Sequence, residues 1–202
     1  MAHILAVVNQ KGGVGKSTTA QTIGNWLSQR GDPVLFVDLD PQGNLTYAPG
    51  LMQLDHLLAG KHGRESRLRD ALASVDSAYR YIILDTPPAL GSAVVNALTA
   101  AGTVVVPTQA DIFSLQGLGQ LSGTISTVQQ YSNPDLTIDG ILITRYNRRT
   151  LLSKQITEML DNTAAQLHTK VFSSRIREAV AIKEAQVAGD IDSFMQELLK
   201  ER

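Results

Sequence analysis

The segment "VNQKGGVGKSTTA", residues 8–20, decides the fold because its glycines join a strand pattern to a helix pattern. The apolar run "HILAVV" (3–8) precedes the glycines, and an amphipathic stretch from Ser17 to Arg30 follows them. In such a turn, successive backbone N–H groups point at one spot, and the N-terminus of the helix adds a partial positive charge. Glycine leaves room for the backbone to close around an anion at Gly12, Gly13 and Gly15. The segment therefore predicts a phosphate-binding loop between a strand and a helix.

Apolar runs of strand length alternate with helix-length amphipathic stretches along the rest of the chain. The predicted strands are "HILAVV" (3–8), "PVLFVD" (33–38), "YIILD" (81–85), "TVVVP" (103–107), "DGILIT" (139–144) and "KVF" (170–172). The predicted helices are 17–30, 64–74, 92–101, 114–131, 151–167 and 190–200. Runs that are nearly continuous in Val, Ile and Leu are typical of strands buried on both faces. We therefore expect an α/β fold, with a mostly parallel twisted sheet and helices on both faces.

The composition is that of an ordinary globular protein, with 43% hydrophobic and 18% charged residues. The absence of cysteine excludes disulfides, thiolate metal sites and cysteine nucleophiles, and it suits a reducing cytoplasm. No run approaches the roughly 20 apolar residues of a membrane span. We expect one domain over residues 1–202 and, because the chain starts at the first predicted strand, no N-terminal helix-turn-helix domain.

The glycine-rich loop departs from the usual P-loop spacing, G-x-x-x-x-G-K-[ST]. Gln10 stands where that pattern has a glycine, and Lys11 comes directly before two glycines. In P-loop chemistry, Lys16 reaches the β- and γ-phosphates of the nucleotide, and the hydroxyl of Ser17 joins the Mg²⁺ shell. The cofactors expected here are ATP and Mg²⁺. The loop residues predicted to bind them are Gly12, Gly13, Val14, Gly15, Lys16, Ser17 and Thr18.

Aspartates end two of the predicted strands, at the sheet edge where open α/β folds bind ligands. Asp85 follows four apolar residues and matches the acid that acts through Mg²⁺, directly or through a bound water. Asp38 and Asp40 are two residues apart, so on an extended segment their side chains point the same way. The sequence predicts Ser17, Asp38 and Asp85 near the metal.

The pattern "KGGVGKST" (11–18) resembles the loop of the deviant Walker A ATPases, K-G-G-x-G-K-[ST]. The resemblance implies that Lys11 reaches across a dimer interface to the nucleotide of the partner chain. "DLDPQGN" (38–44) resembles the matching motif of partition ATPases. That resemblance implies that Asp40 positions the attacking water, with Asp38 nearer the Mg²⁺ shell. Lys11, Lys16 and Asp40 are thus the predicted catalytic residues.

Three further segments resemble ParA partition proteins: "VVVPTQADIFSLQGLGQL" (104–121), "GILITRYNRRTLLSKQI" (140–156) and "VFSSRIREAVAIKEAQ" (171–186). Proteins of that kind bind DNA without sequence preference as ATP-bound dimers. Eight basic and three acidic residues lie between Arg145 and Lys183, a local excess that suits an anionic partner. The predicted DNA contacts are Arg148, Arg149, Arg175, Arg177 and Lys183. Asn147 is predicted to contact the adenine base, with Arg145 as the alternative.

The resemblance implies an ATPase of plasmid or chromosome partition that is cytoplasmic and associated with the nucleoid. Its ATP-bound homodimer would bind DNA non-specifically, and a ParB-like or other cargo adaptor would stimulate hydrolysis and release. Three alternatives stay open: a ParA-like ATPase that positions another cargo, a membrane-surface switch of the MinD type, and a structural nucleotide binder without turnover. The final stretch "GDIDSFMQELLKER" (189–202) has mixed charge, so we expect no stable membrane association.

Overall fold

The computed structural model describes residues 1–40, 52–53, 65–146, 151–177 and 184–200. Within them, seven strands form one sheet in the order β3-β2-β4-β1-β5-β6-β7, and every neighbouring pair is parallel. The strands are β1 (His3–Val7), β2 (Val34–Asp38), β3 (Met52–Gln53), β4 (Tyr81–Asp85), β5 (Thr103–Gln109), β6 (Thr137–Tyr146) and β7 (Val171–Arg177). The predicted α/β fold is confirmed. The domain boundaries 1–202 stay a prediction.

Six α-helices occur in the described residues, each at the place of a predicted helix. They are α1 (Lys16–Gln29), α2 (Arg67–Ala73), α3 (Ser92–Ala100), α4 (Ile112–Tyr131), α5 (Leu151–Gln166) and α6 (Glu184–Leu199), and a short 3-10 helix covers Asp76–Ala78. Gly31 follows α1 with φ 86° and donates its N–H to the carbonyl of Ser28 at 3.0 Å. This left-handed conformation favours glycine, which explains why α1 ends there.

Three strands run past their predicted ends, because apolar periodicity does not mark where strand pairing stops. β5 extends to Gln109, although its predicted end is residue 107. β7 extends to Arg177, although only residues 170–172 were predicted as strand. β6 extends to Tyr146 and shifts its register with β7 between Ile143 and Tyr146. The two-residue β3 was missed because Met52–Gln53 carries no strand pattern of its own.

Alternate residues of the central strands enter two separate cores, one on each face of the sheet. Ala6 and Val8 pack in the core that includes apolar residues of α2, α3, α4 and α5. Leu5 and Val7 pack in the other core, which is covered by α1 and α6. Strands with both faces buried must be apolar at consecutive positions, so this packing explains the unbroken apolar runs.

The strand order brings the predicted site residues to one edge. β1 lies between β4 and β5, and β4 lies between β1 and β2. Because all these strands are parallel, their carboxyl ends meet where the loop after β1 begins. In register, Asp85 pairs with Val7 of β1 on one side and with Asp38 of β2 on the other.

Candidate functional site

The loop between β1 and α1 has the backbone that an anion site needs. Gly13 and Gly15 have φ values of 74° and 89°, which other residues rarely adopt. Gly15 is the N-cap of α1, and no side chain of the described residues caps this helix end. The first turn contains no acidic residue. The first N–H groups of α1 and its partial positive charge are thus available to a phosphate.

Polar side chains from the ends of three strands hold this loop. Asn9, after β1, accepts the N–H of Lys11 at 2.9 Å and donates to the carbonyl of Pro107 at 2.7 Å. The hydroxyl of Thr144 lies 2.8 Å from the carbonyl oxygen of Val14. Gln109 donates to the carbonyl of Gly13 at 3.1 Å. Asn9, Gln109 and Thr144 were not predicted as site residues, although each is a polar residue in or just after the end of an apolar strand, at the predicted ligand edge.

Lys16 is buried at the start of α1, and its Nζ donates to the carbonyl of Lys11 at 3.1 Å. Burial lowers the pKa of Lys16, and the negative charges of Asp85 and Asp40 oppose that change. A buried ammonium is stabilised by an anionic ligand, so this position suits phosphate contact.

Asp85 is fully buried, and neither carboxylate oxygen has a hydrogen-bond partner of ordinary geometry among the described residues. Burial raises the pKa of Asp85 to about 6, and Asp38 and Asp40 add to the rise, whereas the Ser17 hydroxyl and Lys16 oppose it. Asp38 is also buried and accepts the N–H of Asp40 at 2.9 Å. The three predicted carboxylates therefore lie together beside the loop.

The donor set fits Mg²⁺ that enters with a phosphate ligand. Mg²⁺ in nucleotide sites commonly takes one or two carboxylates, with water and substrate phosphates completing its six ligands. Asp85 supplies two buried oxygens that have no hydrogen-bond partner of ordinary geometry in the described part of the chain, and Ser17 supplies a hydroxyl near them. Within the described ranges there is no group of three or more His, Cys, Asp or Glu side chains that would hold a metal unaided.

A cavity of about 190 Å³ adjoins the loop on the α1 side. Its lining includes Gly13, Thr18, Arg145, Ile176 and Phe194, and most of it is apolar. Arg145 is exposed and has φ 50°, a left-handed conformation that is uncommon for a residue with a side chain. The cavity is therefore an apolar space for the nucleoside of a nucleotide whose phosphates lie in the loop. Asn147 lies outside the described residues, so its adenine contact stays a prediction.

The predicted DNA contacts fall mostly where the structure gives no side-chain description. Arg148, Arg149 and Lys183 lie outside the described residues, and Arg177 is described only as the last residue of β7. Arg175 is half-buried, with its guanidinium 4.4 Å from the centre of the Tyr146 ring. This packing indicates that Arg175 also stabilises the β6–β7 edge. Its contact with DNA stays a prediction.

Lys11 is placed differently from Lys16. Its Nζ lies 2.5 Å from Oδ2 of Asp111 and 3.4 Å from Oε1 of Gln109, both in the same chain. The lysine that the resemblance assigns to a partner's nucleotide thus has intramolecular partners in this structure.

A glycine loop between strand and helix, a buried lysine and strand-terminal carboxylates together define a P-loop nucleotide-binding protein. The sequence model of the AAA domain family matches residues 2–53 and 48–138. The chain is 36% identical to the chromosome partitioning protein ParA of Caulobacter vibrioides (strain NA1000 / CB15N), covering 93% of this chain and 85% of the relative. It is 38% identical to the chromosome-partitioning ATPase Soj of Thermus thermophilus, with 92% and 85% covered.

The fold comparison agrees with the sequence comparison. A structure named cobyrinic acid a,c-diamide synthase, from Mycobacterium smegmatis with bound ADP and magnesium, matches with a TM-score of 0.83 and 33% identity, covering 100% of this chain and 97% of that one. The chain therefore belongs to the ParA/MinD-type family of P-loop ATPases.

Proposed function

We propose that this chain is a Mg²⁺-dependent ATPase of the partition kind, whose ATP-bound dimer binds DNA without sequence preference. The observation that carries the proposal is the register of Asp38 with Asp85, which sets both carboxylates beside the phosphate loop and Lys16. The chromosome partitioning protein ParA and the chromosome-partitioning ATPase Soj, most of whose length the chain covers, support the assignment to the partition kind. The cargo-bound partner is of the ParB-like or another adaptor class.

Each residue of the site has a distinct task in phosphoryl transfer. The loop N–H groups and Lys16 bind the β- and γ-phosphates and neutralise their charge. Ser17 and Asp85 would hold Mg²⁺, with Asp38 close to its shell. Mg²⁺, when bound, neutralises charge that develops on the phosphate oxygens. Asp40 orients the attacking water, and this positioning is the main demand of the reaction on the protein.

Phosphate release from Mg-ATP tests the enzymatic part. Lys16→Ala is expected to remove nucleotide binding, whereas Asp40→Ala is expected to keep binding and lose turnover. Asp135→Ala is the matched control, because Asp135 is an exposed carboxylate outside the site. Unchanged phosphate release by Asp40→Ala would show that Asp40 does not orient the water. The assay contains no other acceptor, so it also separates hydrolysis from the synthase activity stated in the name of the Mycobacterium smegmatis neighbour.

Lys11 and its surroundings support the dimer. Ile112 and Phe113, at the start of α4, are 59% and 73% exposed, so apolar surface is available next to the Lys11–Asp111 pair. In a dimer joined at this edge, Lys11 would act as a cation delivered in trans, comparable to an arginine finger. Lys11→Ala is expected to keep nucleotide binding by the monomer and to weaken ATP-dependent dimerisation. Light scattering with a non-hydrolysable analogue measures the difference.

DNA binding is tested by the fluorescence anisotropy of a labelled duplex with the same analogue. The expected response is a fall of log K with log salt by about 0.9 per phosphate contact, independent of the DNA sequence. Arg148→Ala and Arg149→Ala are expected to weaken binding. Arg80→Ala is the control. Arg80 lies directly before β4, at the amino-terminal ends of the strands, and it forms an ion pair with Asp32. Equal affinity of all three variants would remove these two residues from the DNA site.

The membrane alternative has no comparable support in the described residues. The apolar residues of α6 that a membrane helix would present, Phe194, Met195 and Leu198, are buried in the core beside α1. None of the helices in the described residues combines the length and apolarity of a transmembrane span. We infer that the chain has no stable membrane association, and co-sedimentation with anionic vesicles in the presence of ATP would contradict this.

A further inference from the structure

Lys11 has two partners from one short segment at the end of β5. Its Nζ is 2.5 Å from Oδ2 of Asp111 and 3.4 Å from Oε1 of Gln109, and the two paired side chains of the ion pair are 30% and 31% exposed. The pair lies at the sheet edge where the phosphate loop begins. Because both side chains are partly exposed, solvent reaches the pair and another anionic group can replace Asp111 beside Lys11.

The two partners are held in place without help from Lys11. Asp111 is the N-cap of α4, and its Oδ1 accepts the N–H of Ser114 at 2.9 Å, which leaves Oδ2 for the lysine. Gln109 is the last residue of β5, and its amide donates to the carbonyl of Gly13 at 3.1 Å. Removing the lysine from this place therefore breaks contacts of Lys11 alone and leaves the cap and the loop contact intact.

The carboxyl of Asp111 is ionised at neutral pH. Partial burial raises its pKa, but hydrogen bonds from Lys11 and from Ser114 outweigh burial, so the pKa of Asp111 lies below its ordinary value. A carboxylate at this place competes for the same ammonium group that a phosphate oxygen would take, because both are anionic oxygen acceptors.

We propose that Asp111 and Gln109 are positioning residues that hold Lys11 within its own protomer until a partner's ATP replaces them. The proposal rests on the proposed function, in which Lys11 acts on the nucleotide of a second copy of the chain. Two ion pairs, one in each protomer, must open for a symmetric dimer to form. Asp111 thus sets the concentration of ATP at which the dimer assembles.

The size of the effect follows from the exposure of the pair. Ion pairs that are exposed to this degree stabilise proteins by about 0.2–1 kcal/mol, which corresponds to a factor of about 1.4 to 5 in an equilibrium constant. Loss of the pair in each protomer squares that factor for the dimer, to about 2- to 25-fold.

The variant Asp111→Asn isolates the charge. Asparagine is as good an N-cap as aspartate, so α4 keeps its cap on Ser114 while the ion pair with Lys11 is lost. Asp135→Asn, at an exposed carboxylate elsewhere, controls for the change in net charge. Urea unfolding of the two variants confirms that each is folded.

The first measurement is dimerisation by light scattering at increasing concentrations of a non-hydrolysable ATP analogue. Because each dimer binds two nucleotides, the half-point changes by the square root of the factor for the dimer. Asp111→Asn is therefore expected to lower the half-point about 1.4- to 5-fold, with Asp135→Asn at the wild-type value. A half-point for Asp111→Asn that is unchanged or higher overturns the inference. A wild-type chain that stays monomeric at every analogue concentration overturns the proposed dimer as well, so the two failures are distinguishable.

The second measurement follows Lys11 directly. An amine-acylating reagent is applied to the nucleotide-free monomer, and modification of Lys11 is quantified by peptide mass spectrometry against the exposed Lys200. Asp111→Asn is expected to raise the relative rate at Lys11 about 1.4- to 5-fold, because the salt bridge no longer protects the amine. An equal rate in both proteins shows that Asp111 does not hold Lys11. A role of Asp111 confined to capping α4 would leave this rate unchanged.

Discussion

The buried carboxyl of Asp85 makes the nucleotide-free protein less stable as the pH rises. Its pKa is raised from 3.8 to about 6, chiefly by burial. For an acid whose pKa is higher in the folded state, the folded chain holds the proton more tightly. Stability therefore falls as the pH rises above the unfolded pKa, and the loss is complete above the folded pKa. Asp85→Asn removes the titration while keeping the size of the side chain.

The magnitude follows from the two pKa values. A difference of about two pH units corresponds to about 3 kcal/mol between strongly acidic and neutral solution. With pKa values of about 6 and 3.8, about 1.4 kcal/mol of this difference develops between pH 5 and pH 8. The free energy of unfolding of Asp85→Asn, minus that of the wild type, is expected to increase by this amount across that range. The buried amide also changes the free energy of unfolding of the variant, by an amount that does not depend on pH.

Urea unfolding at several pH values, without nucleotide, measures the difference. The fluorescence of Trp26, the single tryptophan of the chain, reports unfolding because its indole donates to Asp192 of α6 at 2.7 Å. Asp135→Asn is the control for loss of an exposed carboxylate. If the free energy of unfolding of the variant minus that of the wild type stays constant from about pH 5 to pH 8, or decreases as the pH rises, the assignment of a raised pKa to Asp85 is refuted.

Two further predictions concern packing and the loop. Gly24→Ala is expected to lower the free energy of unfolding by about 1–3 kcal/mol or more, because an added Cβ would lie 2.1 Å from the Phe36 ring. Gly119→Ala, with no atom within 4 Å of the added Cβ, should instead leave stability unchanged or raise it, and urea unfolding of both compares them. Thr144→Val removes the hydroxyl that bonds the phosphate loop, so calorimetric titration should show ATP affinity reduced about 2- to 10-fold, and an unchanged affinity would show that Thr144 does not order the loop.

Local sequence patterns predict the central strands and the loop well. The apolar residues that specify each strand are also the residues that pack in the core. Gly13 and Gly15 mark the loop, and both adopt backbone conformations that require glycine. The unbroken apolar runs around Leu5 and Ile83 mark strands with two buried faces, and both residues are in the core. Asp85 was predicted from its place after such a run, and the parallel register explains why that place is the ligand edge.

The contacts that hold the phosphate loop could not be predicted from sequence patterns, because they join residues about 100 positions apart. Gln109 and Asp111 lie in a segment that resembles ParA proteins, but neither has a spacing that signals a contact with Lys11. Only the strand order, with β5 next to β1, brings them together. The resemblance predicts that Lys11 contacts the nucleotide of a second protomer, and it predicts no contact of Lys11 within its own chain.

The electrostatics of the site links its stability to its chemistry. Burial moves the pKa of Lys16 down and that of Asp85 up, so each of the two groups is less stable in its charged form than it is in water. A phosphate group beside Lys16 stabilises the ammonium, and a divalent cation beside Asp85 stabilises the carboxylate. Binding of the phosphate and the cation together therefore offsets the free-energy cost of both buried charges, that of Lys16 and that of Asp85. Because Asp85 must lose its proton to act on a cation, acidification below about pH 6 opposes that binding. The burial that weakens the free protein at neutral pH is thus also what makes the site selective for an anion and a cation that arrive as a pair.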